Sequence, residues 1–178
     1  MKNLFLILIL AIVVGQPAAA DDKAGKSDKA EKVTWYGFNE GLKEAARTNK
    51  KVYVDVYTDW CGWCKKMDKE VFTHAKVAPY MSDKYIAVRL NAEGAAKISY
   101  KETNGNESEL ARAFGVNSYP TALFLEPNGD LLTTLPGYVK ADDFIAVLKY
   151  FGDNHYKSSD WQKYYDQYLK DNPPGSLK

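Results

Sequence analysis

Cys61 and Cys64 are the only thiols of this 178-residue chain, and they lie three positions apart in "DWCGWCKK". Three chemistries use such a pair: a structural crosslink, half of a metal site, or a redox-active dithiol. A crosslink gains least here, because the chain entropy it removes grows with loop length and this loop encloses only Gly62 and Trp63. Structural zinc takes four nitrogen or sulfur ligands, and the chain adds only His74 and His155. His155 falls far along the chain, after the last helix of the domain. Both histidines are expected as ordinary surface or helix-end groups, without a catalytic or metal role. Dithiol chemistry is the favoured reading, with the metal half-site as the lesser alternative.

A working dithiol needs one thiolate placed to attack and a second within reach of it. "VYVDVYT" (52–58) is β-branched and aromatic except for Asp55, the pattern of a buried central strand. "CGWCKKMDKEVF" has helical composition. Cys61 then falls at a helix N-terminus directly after a strand, where the helix dipole and free backbone N–H groups favour the nucleophilic thiolate. Cys64, one turn further in, is close enough to attack a mixed disulfide at Cys61 and release a reduced product. Lys65 and Lys66 add positive charge that solvent screens. Asp55 breaks the apolar strand. Buried there, its carboxyl has a raised pKa through desolvation and can exchange a proton with the thiols; the alternative is a strand-end carboxylate facing water. Asp59 is expected to be exposed and receives no role.

The remaining segments must hold that strand–helix junction. "VTWY" is a short strand, and "FNEGLKEAARTNKK" a helix with Asn39 as N-cap and Leu42, Ala45 and Ala46 on one face. After the cysteine helix, a break at "THAK" leads into "VAPYMSD", and "YIAVRLN" is the next strand. "AEGAAKISYKETNGN" is polar and irregular, and reads as an inserted loop. "ESELARAFG" is a short helix closed by Gly115. "TALFLEPNGDLLTTL" is two strands joined at "PNGD", and "KADDFIAVLKYFG" is an amphipathic helix with Phe144, Ile145, Leu148 and Phe151 inward. The order βαβαβαββα implies an α/β fold, a central mixed sheet with helices on both faces. "SSDWQKYYDQYLKDNPPG" adds a C-terminal helix whose Trp161, Tyr164, Tyr165, Tyr168 and Leu169 form one stripe. Docking onto the domain is its expected use; a partner-binding surface is the alternative.

The first twenty residues carry Lys2, the apolar run "LFLILILAIVV" and an Ala-x-Ala site ending at Ala20. That run is too short to span a bilayer as a helix and fits a cleaved secretory signal, with an uncleaved anchor as the alternative. Residues 21–32 are small and charged, and read as a disordered tether. The α/β domain is expected over 33–152 and the helical extension over 153–178. The formal charge of +1 includes Lys2, so the mature chain is neutral, which argues against a nucleic-acid partner. Nothing in the composition suggests an obligate dimer, and a monomer in an exported compartment, most simply a periplasm, is expected.

"VDVYTDWCGWCK", then "SYPT" (118–121), then "NGD…LPG" resemble the thioredoxin superfamily over nearly the whole domain. The stretch from Trp35 through "KEVF" is most similar to the exported branch related to the C-terminal domain of DsbD and to DsbH-like proteins. The resemblance implies a thioredoxin fold and a protein-disulfide oxidoreductase needing no bound cofactor, the dithiol being the redox group. It implies Cys61 as attacking and Cys64 as resolving thiol, and Asp55 as the family's buried acid. Trp60 matches the tryptophan beside the disulfide, and Pro120 the proline after a cis bond that presents the Tyr119 backbone to an extended substrate. Arg89 stands where thioredoxins place a lysine near the acid, and arginine cannot release its proton. Strong oxidants of the family hold their thiolate with a histidine between the cysteines. Gly62 and Trp63 offer no such charge, so a reducing couple is expected, with an oxidase or isomerase, or a metal- or partner-binding module, as alternatives. The implied partners are disulfide-containing exported proteins or apocytochromes and a membrane electron donor of DsbD type.

Overall fold

The computed structural model describes residues 32–173. The leader expected at 1–20, all of the 21–32 tether but its last residue, and residues 174–178 lie outside the described residues. Five strands form the central sheet: β1 (Trp35–Tyr36), β2 (Lys51–Tyr57), β3 (Tyr85–Asn91), β6 (Thr121–Leu125) and β7 (Leu131–Pro136). Their order is β1-β3-β2-β6-β7. β3 runs parallel to β1 and β2, while β6 runs antiparallel to β2 and β7. This is the thioredoxin fold, a mixed sheet with helices on both faces.

β2 sits at the centre because both of its faces are buried. Val52, Val54 and Val56 point to one side, with Phe38 and Ala45 of α1 (Phe38–Thr48) and Leu110 of α4 (Glu107–Ala113). Tyr53 points to the other, with Met67 of α2 (Gly62–Glu70), Val77 and Met81 of α3 (Val77–Lys84), and Phe144 and Leu148 of α5 (Ala141–Gly152). Asp55 is two residues from Tyr53, so strand alternation turns it to the α2 side. Between α2 and α3, at the expected break, Phe72 turns into the core and meets the Trp35 ring edge-on at 4.9 Å. β6 and β7 join through a turn in which Gly129 takes φ 87° and its N–H donates to Glu126 O at 2.8 Å.

Three local expectations are corrected. The segment read as a loop contains a hairpin, β4 (Lys97–Tyr100) with β5 (Thr103–Asn106). It has little apolar alternation to reveal it, and side chains from elsewhere fasten it. Asn39 does not cap α1. Gly37 is the N-cap, and the Asn39 amide instead donates to Lys97 O and accepts from Ser99 N, each at 2.9 Å. Tyr100 Oη donates to Gly129 O at 2.9 Å, and Lys101 pairs with Asp130 at 2.7 Å. On α1 the buried residues are Phe38, Gly41 and Ala45, and Ala46 is exposed. Gly41 belongs there because a Cβ would collide with the Val88 side chain of β3.

The C-terminal helix α6 (Trp161–Asp171) follows a single 3-10 turn at His155–Lys157. Asp160 caps it by accepting from Lys163 N at 2.9 Å. Its aromatic stripe lies on the domain: Trp161 and Tyr164 meet Tyr150 of α5 at 5.3 and 5.0 Å, and Tyr168 is buried. Tyr165 Oη donates to Asp143 at 2.5 Å. Among the described residues, no helix is long and apolar enough to cross a membrane.

Candidate active site

β2 ends at Tyr57 and α2 begins at Gly62, so the cysteines occupy the junction itself. Cys61 is the N-cap of α2, with its N–H donating to Thr58 O at 3.1 Å. Cys61 and Cys64 are joined as a disulfide, and Cys61 Sγ accepts from Cys64 N at 3.0 Å. A sulfur in the N-cap position receives a backbone donor and the positive end of the helix dipole, both favouring a thiolate once the bond is reduced. Both cysteines are nearly covered, at 3% and 4% exposure.

The two intervening residues leave the sulfurs alone. Gly62 faces open space where a Cβ would stand. Trp63 is 57% exposed and turns to Tyr138, with ring centroids 5.4 Å apart. Lys66 lies over both rings, at 5.1 and 5.3 Å. Trp60 is also exposed. Its Nε1 donates to the Glu93 carboxylate at 3.0 Å, and its ring meets Tyr119 edge-on at 5.8 Å. The Tyr119–Pro120 bond is cis, and Pro120 is buried. Pro120 O accepts from Gly137 N at 2.7 Å, which ties the Tyr119 loop to the residue before Tyr138. The disulfide thus has an aromatic pair on either flank, Trp60–Tyr119 and Trp63–Tyr138.

Asp55 faces the interior and not water. It is 1% exposed, and its Oδ2 accepts from Arg89 Nη1 at 2.8 Å, while Oδ1 has no partner. The same guanidinium bonds Asp68 through Nη2 and lies over the Trp35 ring at 4.2 Å. Asp68 is four residues after Cys64, on the same face of α2. Arg89 therefore spans from Asp68 to Asp55, which puts the buried acid under the helix that carries Cys64. Burial pushes the Asp55 carboxyl up to about 7; Arg89 pulls against this, and the negative Asp68 adds to it.

Of the residues singled out in the sequence, Trp60 meets Tyr119 and Asp55 pairs with Arg89 beneath the cysteine helix. The structure adds Asp68, Glu93 and Tyr138. Asp68 carried a signal in its four-residue spacing from Cys64; Glu93 and Tyr138 are remote in sequence and carried none. The two histidines stand apart from the cysteines. His155 packs on the Tyr164 ring at 4.8 Å, and His74 Nδ1 accepts from Lys76 N at 3.3 Å.

A thioredoxin fold with a dithiol at the β2–α2 junction defines a thiol–disulfide oxidoreductase of the thioredoxin superfamily. Comparison with known proteins agrees. The thioredoxin-like domain family matches residues 38–152, and the chain belongs to it. It is 31% identical over 108 residues, 60% of its length, to the thiol:disulfide interchange protein DsbD of Haemophilus ducreyi. Identity to the protein disulfide-isomerase of Oryctolagus cuniculus is 30% over 151 residues, 84% of the chain. The chain spans only 17% of the former and 26% of the latter. A solution structure from Bacteroides thetaiotaomicron, described as a candidate disulphide-isomerase, superposes with a TM-score of 0.58 at 28% identity. It covers 74% of this chain and 99% of that one.

Proposed function

We propose that this chain is an exported protein-disulfide reductase of the periplasm, with residues 1–20 as a cleaved signal. The observation that carries the reading is the Cys61–Cys64 pair at the N-terminus of α2 above an acid that burial brings to about 7. In the reduced protein, the Cys61 thiolate attacks one sulfur of a client disulfide. A Cys61–client bond forms, and the other client sulfur leaves as a thiolate. Cys64 then attacks Cys61 Sγ, releasing the second client thiolate. The client gains two electrons, and the protein is left as its disulfide. Asp55 takes the Cys64 proton as that attack begins. The Tyr119 backbone, beside cis-Pro120, pairs with the extended client, and Trp60, Gly62 and Trp63 line its path.

A second dithiol must return the electrons, and a membrane reductant of the DsbD kind fits that need. No further cofactor is required, since the electrons travel on sulfur. The reducing direction is supported by Gly62 and Trp63, which place no positive charge on Cys61 Sγ. Less thiolate stabilisation means a more stable disulfide. An oxidase or isomerase is the second reading, favoured by the disulfide-isomerase of Oryctolagus cuniculus among the relatives.

Insulin reduction tests the assignment. Cys61→Ala is expected to abolish it, and Cys64→Ala to accumulate mixed disulfides with client proteins; full activity in Cys61→Ala overturns the reading. Equilibration with glutathione separates the two directions. A potential near that of DsbA, roughly 150 mV above thioredoxin, replaces the reductase with an oxidase.

A further inference from the structure

We propose that Tyr53 is a positioning residue for the buried acid: through one shared water its hydroxyl donates to Asp55 Oδ1 and favours the carboxylate that takes the Cys64 proton. The proposal rests on the reading of Asp55 as that base and adds a residue to its machinery.

Tyr53 is fully buried, and the mechanism so far leaves its hydroxyl idle. Neither Tyr53 Oη nor Asp55 Oδ1 has a hydrogen-bond partner among the described residues. A buried polar group left unpaired is costly, and two of them on one strand face point to a common partner.

Tyr53 and Asp55 are two residues apart on β2, so both side chains rise from the face that α2 covers. Across that face Tyr53 stands in register with Ala87 of β3 and Phe124 of β6, and Asp55 with Arg89 and Ala122. An alanine thus flanks each member of the pair, so the sheet's own side chains take little of the space a bridging water needs. Four aromatic rings fix the phenol: Trp35 at 6.3 Å, Phe72 at 5.9 Å, and Phe124 and Phe144 at 5.5 Å. Two of them, Trp35 and Phe72, also carry the Arg89 guanidinium, at 4.2 and 5.6 Å. Phenol and guanidinium share these walls, which sets the hydroxyl beside the Asp55–Arg89 pair. The charges agree: burial pushes the Tyr53 phenol far up, Asp55 raises it further, Arg89 lowers it and Asp68 raises it. Tyr53 therefore keeps its proton and serves Asp55 as a donor, never as a rival base.

The two oxygens of Asp55 divide the work. Oδ2 accepts from Arg89 at 2.8 Å, so Oδ1 is the oxygen open to the Cys64 proton. A carboxylate oxygen has two lone pairs: one accepts from the water held by Tyr53, and the other takes the proton. Donors to a carboxylate favour its charged form, so the hydroxyl works with Arg89 against burial and Asp68. The titratable and charged groups around Asp55 are Tyr53 and Tyr57 on β2, Arg89 on β3, and Asp68 with the cysteine pair on α2 and at its start. β6 faces it with Ala122, and α5 meets Tyr53 through Phe144.

Titration of the Asp55 carboxyl carbon by NMR in the oxidised protein reads the acid with no electrons transferred. Tyr53→Phe keeps the ring and should raise the Asp55 midpoint by about one pH unit. Tyr85→Phe removes another buried hydroxyl, the one that donates to Leu148 O at 2.6 Å, and should leave the midpoint in place. In a high-resolution crystal of the wild type, one water should lie about 2.5–3.0 Å from both Tyr53 Oη and Asp55 Oδ1. An unmoved midpoint in Tyr53→Phe, an equal shift in Tyr85→Phe, or the lack of that water overturns the proposal. The reading of Asp55 as base fails separately: in Tyr53→Phe the carboxyl midpoint would then move while the pH profile for resolution of a Cys61 mixed disulfide stayed put.

Discussion

The Arg89 guanidinium joins the buried carboxylate of Asp55, at 2.8 Å, to Asp68 on the cysteine helix. One permanent cation thus serves two acids, one sealed in the core and one at the surface. Arginine stays charged throughout the accessible pH range, so within the buried pair Asp55 alone can gain or lose a proton. The pair Asp55–Arg89 is a charge arrangement with one adjustable side.

Removing that cation should move Asp55 further from its ordinary range. Arg89 opposes the effect of burial, so Arg89→Met should raise the Asp55 pKa by about 1–3 units. The pH profile for resolution of a Cys61 mixed disulfide should shift to higher pH accordingly. An unmoved profile in Arg89→Met rules out Asp55 as the base.

Asp55 should make the fold less stable as pH rises. Its folded pKa of about 7 stands above the ordinary 3.8, so between those values the folded protein holds a proton that the unfolded chain releases. Stability from that proton is complete below 3.8 and is lost as pH climbs through 7. At about 1.4 kcal/mol per pKa unit, the loss is about 4 kcal/mol. Asp55→Asn should be free of this fall, so urea unfolding at pH 4 and pH 8 should show the variant gaining on wild type at the higher pH. Parallel curves would contradict the burial argument.

Glu93 should act on clients through Trp60. The indole is exposed, and the Glu93 carboxylate restrains it. A charge-assisted bond at a wet site is worth about 0.5–1 kcal/mol, so Glu93→Ala should raise the KM for insulin about two- to fivefold with kcat little changed. Glu93→Gln keeps an acceptor and should recover most of the loss. An equal effect on kcat would point to structural damage instead.

The C-terminal helix should stabilise the domain. Tyr168 is 8% exposed and packs beside Tyr164, which lies on Tyr150 of α5. Tyr168→Ala should cost about 2–4 kcal/mol in chemical denaturation, as for other large-to-small changes in packed sites. Removing residues 158–178 should cost more, by uncovering Tyr150. A full-stability truncation would return the helix to the role of a free partner-binding surface.

Much of the site could be read directly from the residues. Cys61 and Cys64 at a strand-to-helix boundary, and one acid in an otherwise apolar strand, are local patterns, and short-range periodicity fixes which way each side chain turns. The break after α2, the "PNGD" turn and the aromatic stripe of α6 follow from the same local rules. The hairpin at β4–β5 did not, because "TNGN" has no apolar alternation and its pairing is secured by Asn39, distant in sequence. Glu93 under Trp60, Tyr138 beside Trp63 and the sharing of Arg89 by two acids likewise came only from the tertiary structure. By itself the sequence determined the cysteine pair at a strand-to-helix junction, one acid in an apolar strand and the order of the elements of the central sheet, since each depends on neighbours within a turn or a strand. The folded chain decided which distant side chains surround them, because such contacts arise when separate elements meet across the sheet and leave no periodic trace along the chain.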